Sequence, residues 1–248
     1  SLDLELAKAE TIPDEPLPLP QDTPHLLQRA SSDYQNGLLK NSRVKTSIDY
    51  NLQLAVNQQV RLHHERLRQN EIHNAAAIVI HVPSNQIVAY TGNAPGAGNT
   101  HGEMVDVIRA PRSTGSILKP FLYALALEEG TILPHSLLLD VPVNYNGYRP
   151  QNYNRDYQGA TPASEALARS LNIPFVHLLK EYGLENFHLA MQQLGMSTLT
   201  NSPDHYGLTL ILGGAEGKLE EITGMYAQMG RLNQTFTNNN SRYPGEAY

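Results

Sequence analysis

A chain of 248 residues, 40% of them hydrophobic, is long enough to bury a real core, as one large domain or as one domain with an appendage. A formal net charge of -6, with no block of five or six like charges, offers nothing to a nucleic-acid backbone, so no nucleic-acid partner is expected. The absence of cysteine excludes disulfides, thiolate metal sites and cysteine nucleophiles.

The apolar stretches "AAAIVIHV" and "LTLILGG" fall short of the roughly 20 residues a membrane helix needs, and no secretory signal opens the chain. It begins at Ser1 and ends in the asparagine-rich "NQTFTNNNSRYPGEAY", which reads as an excised piece of a longer protein.

In chain order, "TIPDEPLPLPQDTPHLL" is dense in proline and acid and favours extended polyproline conformation, so residues 1–45 are expected to form an interdomain linker. From Asp49, a candidate N-cap, Leu52, Ala55, Val56, Gln59, Val60, His63 and Leu67 recur at three- and four-residue spacing and predict a helix with one mostly apolar face. "AAAIVIHVPSNQIVAYTGN" gives two short apolar runs around Pro-Ser-Asn-Gln, a β-hairpin, and "NAPGAGNTHG" a loop. "RSTGSILKPFLYALALEEG" predicts a turn and then a core helix. "TPASEALARSLNIPFVHLLKEYG" and "GLENFHLAMQQLG" predict short helices, and "GLTLILGGAEGKLEEITGMYAQMGRL" an apolar run, a glycine pair and another helix. A hairpin followed by helices implies an α+β domain whose antiparallel sheet is completed by later strands.

The chemistry concentrates in "TGSILKP". Proline lacks an N–H and clashes with the carbonyl four residues back, so Pro120 belongs in the first turn of its helix. Gly115 permits an unusual backbone just before it. Ser116 then lies at the helix mouth, where unpaired N–H groups leave a partial positive charge. Lys119 follows by three, which on a helix would bring its ammonium back toward the serine oxygen. A serine hydroxyl needs a base, and a lysine becomes one when burial and positive neighbours lower its pKa. The Ser116 N–H would face an oxyanion on the attacked carbonyl. Another Ser-x-x-Lys, Ser42 to Lys45, has no such helix behind it and reads as surface.

The second signal is "ARSLNIP". Ser-x-Asn alone usually just caps a helix. Behind a Ser-x-x-Lys helix, Ser170 can instead relay a proton between Lys119 and a leaving amine, and the Asn172 amide can hold both the lysine and a substrate amide.

Taken together, "RAPRSTGSILKPFLYALALEEG", "ALARSLNIPFVHLL" and "LTLILGGAEGKLEEITGMYA" resemble the transpeptidase domain of the class A, bifunctional penicillin-binding proteins. The resemblance runs along nearly the whole chain. It implies the penicillin-binding transpeptidase and serine β-lactamase-like fold over residues 46–248, as the N-terminal part of that domain. It also implies Ser116 as acylated nucleophile, Lys119 as its base, and Ser170 and Asn172 as the second motif. The implied parent crosslinks peptidoglycan D-Ala-D-Ala stem peptides and is acylated by β-lactams. It would work at the periplasmic face of the bacterial inner membrane through an upstream anchor, with a glycosyltransferase domain and cell-wall synthesis proteins as partners. No cofactor and no metal are implied. "RPQNYNRDYQG" resembles the family's Pro-x-Asn-Tyr-Asp segment, with Asn154 where an aspartate is usual. The family's third motif, Lys-Thr/Ser-Gly, appears nowhere in the sequence, so the piece is expected to be a poor catalyst by itself.

Two other readings compete. A serine β-lactamase shares the first two motifs, but its deacylating Glu-x-x-x-Asn pattern is not found after Asn172. A non-catalytic scaffold binding cell-wall peptide or β-lactam would form no covalent adduct. Among smaller features, His63, His64 and Glu65 are adjacent on a helix, where neighbours do not share a face, so no metal site is expected. Gly213 and Gly214 lack nucleotide-loop spacing and read as tight packing. The thirteen tyrosines suggest half-buried core positions more than a glycan groove.

Overall fold

The computed structural model describes residues 22–41, 43–94 and 99–240. The proline-dense "TIPDEPLPLPQ", Ser42 and the last eight residues lie outside them.

The first described element departs from the expected extended conformation: Pro24–Gln35 is a helix, α1, with proline in its first turn. It is docked. His25 is buried against Gly92, its Nε2 lies 2.8 Å from the Glu103 carbonyl, and Arg29 donates to Glu220 at 2.9 Å. Composition weighs proline content; it does not reveal that residues four apart share a face with waiting partners.

Helix α2, Tyr50–Leu67, starts as expected, with Leu52 N–H donating to Asp49 Oδ1 at 2.9 Å. Its buried face differs. Gln53, Val60 and His64 are inside while Leu52, Leu54 and Leu62 are exposed. Gln53 is drawn in by hydrogen bonding: its Oε1 accepts from Tyr90 N–H at 2.7 Å and its Nε2 donates to the Tyr90 carbonyl at 3.2 Å. The side chain satisfies strand backbone as a neighbouring strand would, which hydrophobic spacing cannot register.

The hairpin pairs β1, Ala77–His81, with β2, Gln86–Thr91, antiparallel with a bulge at Val79/Ile80. Two further antiparallel pairs are formed by strands far apart in sequence or separated by a long loop. β3, Arg112–Ser113, pairs with β6, Glu216–Gly217, and β4, Leu137–Asp140, with β5, Gly159–Pro162.

The helices expected from the sequence are present, and one short helix, Pro203–Tyr206, is an addition to them. α3 spans Lys119–Glu128, α4 Ala163–Ala168, α5 Asn172–Tyr182, α6 Leu184–Leu194, α7 Pro203–Tyr206 and α8 Leu219–Asn239. α2 lies against β2 and α8 against β1. Leu118, Phe121 and Leu122 of the α3 segment meet Phe175, Leu178 and Leu179 of α5 and Phe187 and Met191 of α6 in one core. At roughly 1.5–3 kcal/mol per fully buried large apolar side chain, this cluster holds α3 and α5 side by side. It is on their adjoining N-terminal ends that the candidate catalytic residues sit.

Candidate active site

Pro120 dates the helix start as expected: α3 begins at Lys119 with proline in its first turn. Gly115 takes φ +53, a left-handed backbone that favours glycine. Ser116 follows in a turn rather than in the helix, with Ile117 N–H donating to the Thr114 carbonyl and Lys119 N–H to the Ser116 carbonyl, both at 3.1 Å. The segment is tied down from behind. Thr114 N–H donates to the Ala215 carbonyl at 3.1 Å, and Ser113 Oγ to the Gly213 carbonyl at 2.8 Å. The expected tight packing at the glycine pair is present: a Cβ on Gly213 would stand 2.6 Å from Gly115 N, and one on Gly214 2.1 Å from Thr209 Oγ1.

Lys119 is 1% exposed, with its ammonium 5.7 Å from the Phe175 ring centroid. Burial pushes its amine down from 10.5 to about 8. Nζ donates to the Ser170 carbonyl at 2.8 Å, to Asn172 Oδ1 at 2.8 Å and to Ser170 Oγ at 3.3 Å. Those three bonds use every proton of the ammonium.

Ser116 Oγ is not among the partners of Nζ. Contact between residues i and i+3 requires both to lie within the helix. In the turn that precedes it, the serine is not stacked over the lysine, and the acceptors at 170–172 take the ammonium instead. The Ser116 N–H and hydroxyl have no hydrogen-bond partner among the described residues.

Ser170 holds its place through a strained backbone. It has φ +53, its N–H donates to the Leu167 carbonyl and the Leu171 N–H to the Ala166 carbonyl, both at 2.9 Å. That pair of bonds is a Schellman closure of α4, with a serine in the left-handed position where glycine is favoured. The closure turns both the carbonyl and the hydroxyl of Ser170 toward Lys119.

Asn172 opens α5. Its Nδ2 donates to the Gln151 carbonyl at 2.8 Å, which leaves Oδ1 directed at Lys119. Sequence spacing missed Gln151 and Asn152 as members of this network. The quoted Pro-x-Asn-Tyr segment was the available signal, but no periodicity relates it to α5. Asn154, in place of the usual aspartate, donates through Nδ2 to Asp156 Oδ2 at 3.0 Å, a bond a second carboxylate could not make.

Elsewhere, the helical histidine pair is divided: His63 is exposed, while His64 is buried with Nε2 2.8 Å from the His73 carbonyl. Among the described residues no helix is long and apolar enough to cross a membrane.

The chain is similar to known proteins over most of its length. The family model for the penicillin binding protein transpeptidase domain matches residues 75–228. Penicillin-binding protein 1C of Escherichia coli is 35% identical over 195 residues, 79% of this chain and 25% of that protein. Penicillin-binding protein 1F of Bacillus subtilis is 37% identical over 110 residues, 44% of this chain and 15% of that protein. The structure of the penicillin-binding protein PonA1 from Mycobacterium tuberculosis superposes with a TM-score of 0.62 at 21% identity, covering 83% of this chain and 56% of that one. The same protein in complex with penicillin V gives 0.60 at 23%, covering 84% and 56%. The chain thus spans about a quarter or less of the length of these two curated relatives.

Proposed function

Because the chain belongs to the penicillin-binding protein transpeptidase family, we propose that it carries the acylation site of a peptidoglycan D,D-transpeptidase, with Ser116 as nucleophile. The observation that carries this reading is the buried Lys119 amine three residues after Ser116, held by Ser170 and Asn172.

When Lys119 loses its proton, two N–H groups remain. The Ser170 carbonyl and Asn172 Oδ1, both at 2.8 Å, engage them, and the lone pair turns toward the longest of the three contacts, Ser170 Oγ at 3.3 Å. As Oγ attacks the carbonyl of the penultimate D-alanine, the hydroxyl proton of Ser116 passes to Ser170 Oγ while the Ser170 proton passes to that lone pair. The Ser116 N–H donates to the oxyanion. On collapse the C–N bond breaks, Ser170 relays the proton from Lys119 to the departing D-alanine amine, and the acyl group remains as an ester on Ser116. An amine from a neighbouring strand then takes the acyl group. A β-lactam would acylate the same oxygen as its ring C–N bond opens.

The whole protein's reaction takes place, in this proposal, at the periplasmic face of the inner membrane, on stem peptides of the wall. Mass spectrometry after incubation with excess penicillin tests it: one adduct is expected on the peptide containing Ser116 and none in Ser116→Ala. An adduct elsewhere, or an equal one in the alanine variant, overturns the assignment.

A further inference from the structure

The N-terminus of α5 has an apolar residue, Leu171, at its cap position and no cap from its own side chains. Its orphan N–H groups are met from 20 residues earlier. Asn152 Oδ1 accepts from Asn172 N–H at 2.9 Å and from Ile173 N–H at 3.3 Å. On the other side of the same amide, Nδ2 donates to Asp140 Oδ1 at 2.7 Å and to the Asp156 carbonyl at 3.0 Å. Asn152 is buried, and all four of its hydrogen-bonding positions are filled.

The direction of this amide is forced. Asp140 is wholly buried, and its other oxygen accepts from Gln158 N–H at 3.0 Å. A carboxylate only accepts, so the NH2 of Asn152 must face it and the oxygen must face α5. The neighbouring Gln151 carbonyl takes Asn172 Nδ2, which in turn obliges Asn172 Oδ1 to face Lys119. A buried, fully satisfied network of this kind admits one arrangement.

We propose that Asn152, oriented by Asp140, is a positioning residue for acylation: it fixes where α5 begins and which way the Asn172 amide points, and so holds the acceptor that aims Lys119. The inference rests on the reading of Lys119 as the base in the preceding section.

Exchanging donor and acceptor tests it. In Asn152→Asp two carboxylates oppose each other, and in Asn152→Ala the cap is gone. Acylation by a fluorescent penicillin is expected to fall about 10- to 100-fold in both, the range a small misplacement of catalytic groups produces. In the double variant Asp140→Asn/Asn152→Asp, the carboxylate at 152 accepts from both α5 N–H groups and from the amide at 140, whose oxygen still accepts from Gln158 N–H, while the Asp156 carbonyl loses the donor that Asn152 Nδ2 gave it. Acylation is expected to recover by several-fold over either single variant at 152. An NMR titration of the Lys119 15Nζ runs in parallel. Its midpoint should move down in Asn152→Ala, where the ammonium loses an acceptor and no charge is added.

Unchanged acylation and an unchanged Lys119 titration in Asn152→Ala overturn the proposal. So does a double variant that regains its melting temperature but not its rate, because that result assigns Asn152 to stability alone. If the single variants do not fold, recovery or failure in the double decides. If the starting protein forms no Ser116 adduct, the nucleophile assignment fails by itself, and the Lys119 titration then decides for or against the positioning role.

Discussion

Lys119 is 1% exposed, and its amine is supplied with three acceptors. Burial is the cause that lowers its pKa to about 8 from an ordinary 10.5. The acceptors keep the protonated form from being an unpaired buried charge. As the proposed base it must be neutral, so the acylation rate of Ser116 should rise with pH through about 8 and level off above it. Lys119→Met should lack that limb and be acylated far more slowly. The folding linkage has a definite sign. Between about 8 and 10.5 the unfolded chain binds a proton that the folded chain does not, so the Lys119 contribution makes stability rise with pH across that window. The melting-temperature difference between the protein and Lys119→Met should be nearly constant below about pH 8 and shift in favour of the protein between about 8 and 10.5. A flat acylation profile across pH 8 would count against the lysine as base.

A helix end is the unit that delivers each half of the site. α3 begins where Pro120 allows, which puts Ser116 in the preceding turn, and α4 closes on a left-handed Ser170. A left-handed non-glycine residue costs about 1–2 kcal/mol, and strain of this kind persists where the surroundings overdetermine it. Ser170→Gly is therefore expected to raise stability by about 1 kcal/mol in urea denaturation. The same change removes the hydroxyl 3.3 Å from Lys119 Nζ and should slow penicillin acylation by about 100-fold. A glycine variant that is acylated at the original rate would remove Ser170 Oγ from the mechanism. The closure itself was not visible in "ARSLNIP": serine is a poor sequence marker for a left-handed cap, and only the two backbone bonds identify it.

Across the molecule, the segment around β3 and β6 ties the nucleophile to distant parts of the chain. Arg29 of α1 and Arg109 both pair with Glu220, at 2.9 and 3.2 Å, just beyond β6, whose partner β3 runs into Ser116. Helix α1 is thereby packed onto the same body as the site, although solvent-accessible ion pairs contribute little each and the Arg29–Glu220 pair is only partly buried. The closer constraint is steric: a Cβ on Gly92 would stand 2.5 Å from His25 Cβ and Cγ. Gly92→Ala should loosen α1, and limited proteolysis should then cut within 24–35 several times faster than in the starting protein. Equal cleavage rates would mean that α1 is not held by this contact.

The sequence by itself determined the local features. Proline rigidity set the start of α3, the Asp49 cap set the start of α2, two apolar runs around Pro-Ser-Asn-Gln predicted the hairpin, and the motif order carried the family resemblance. Each is a property of residues within a few positions of one another, where covalent geometry and spacing decide. Tertiary structure alone decided which acceptors surround Lys119, why Gln53 rather than Leu52 faces the core, that α1 is docked, and that Asn152 caps a helix twenty residues away. Buried polar groups take whatever partner the fold brings within about 3 Å, and that choice leaves no period in the chain.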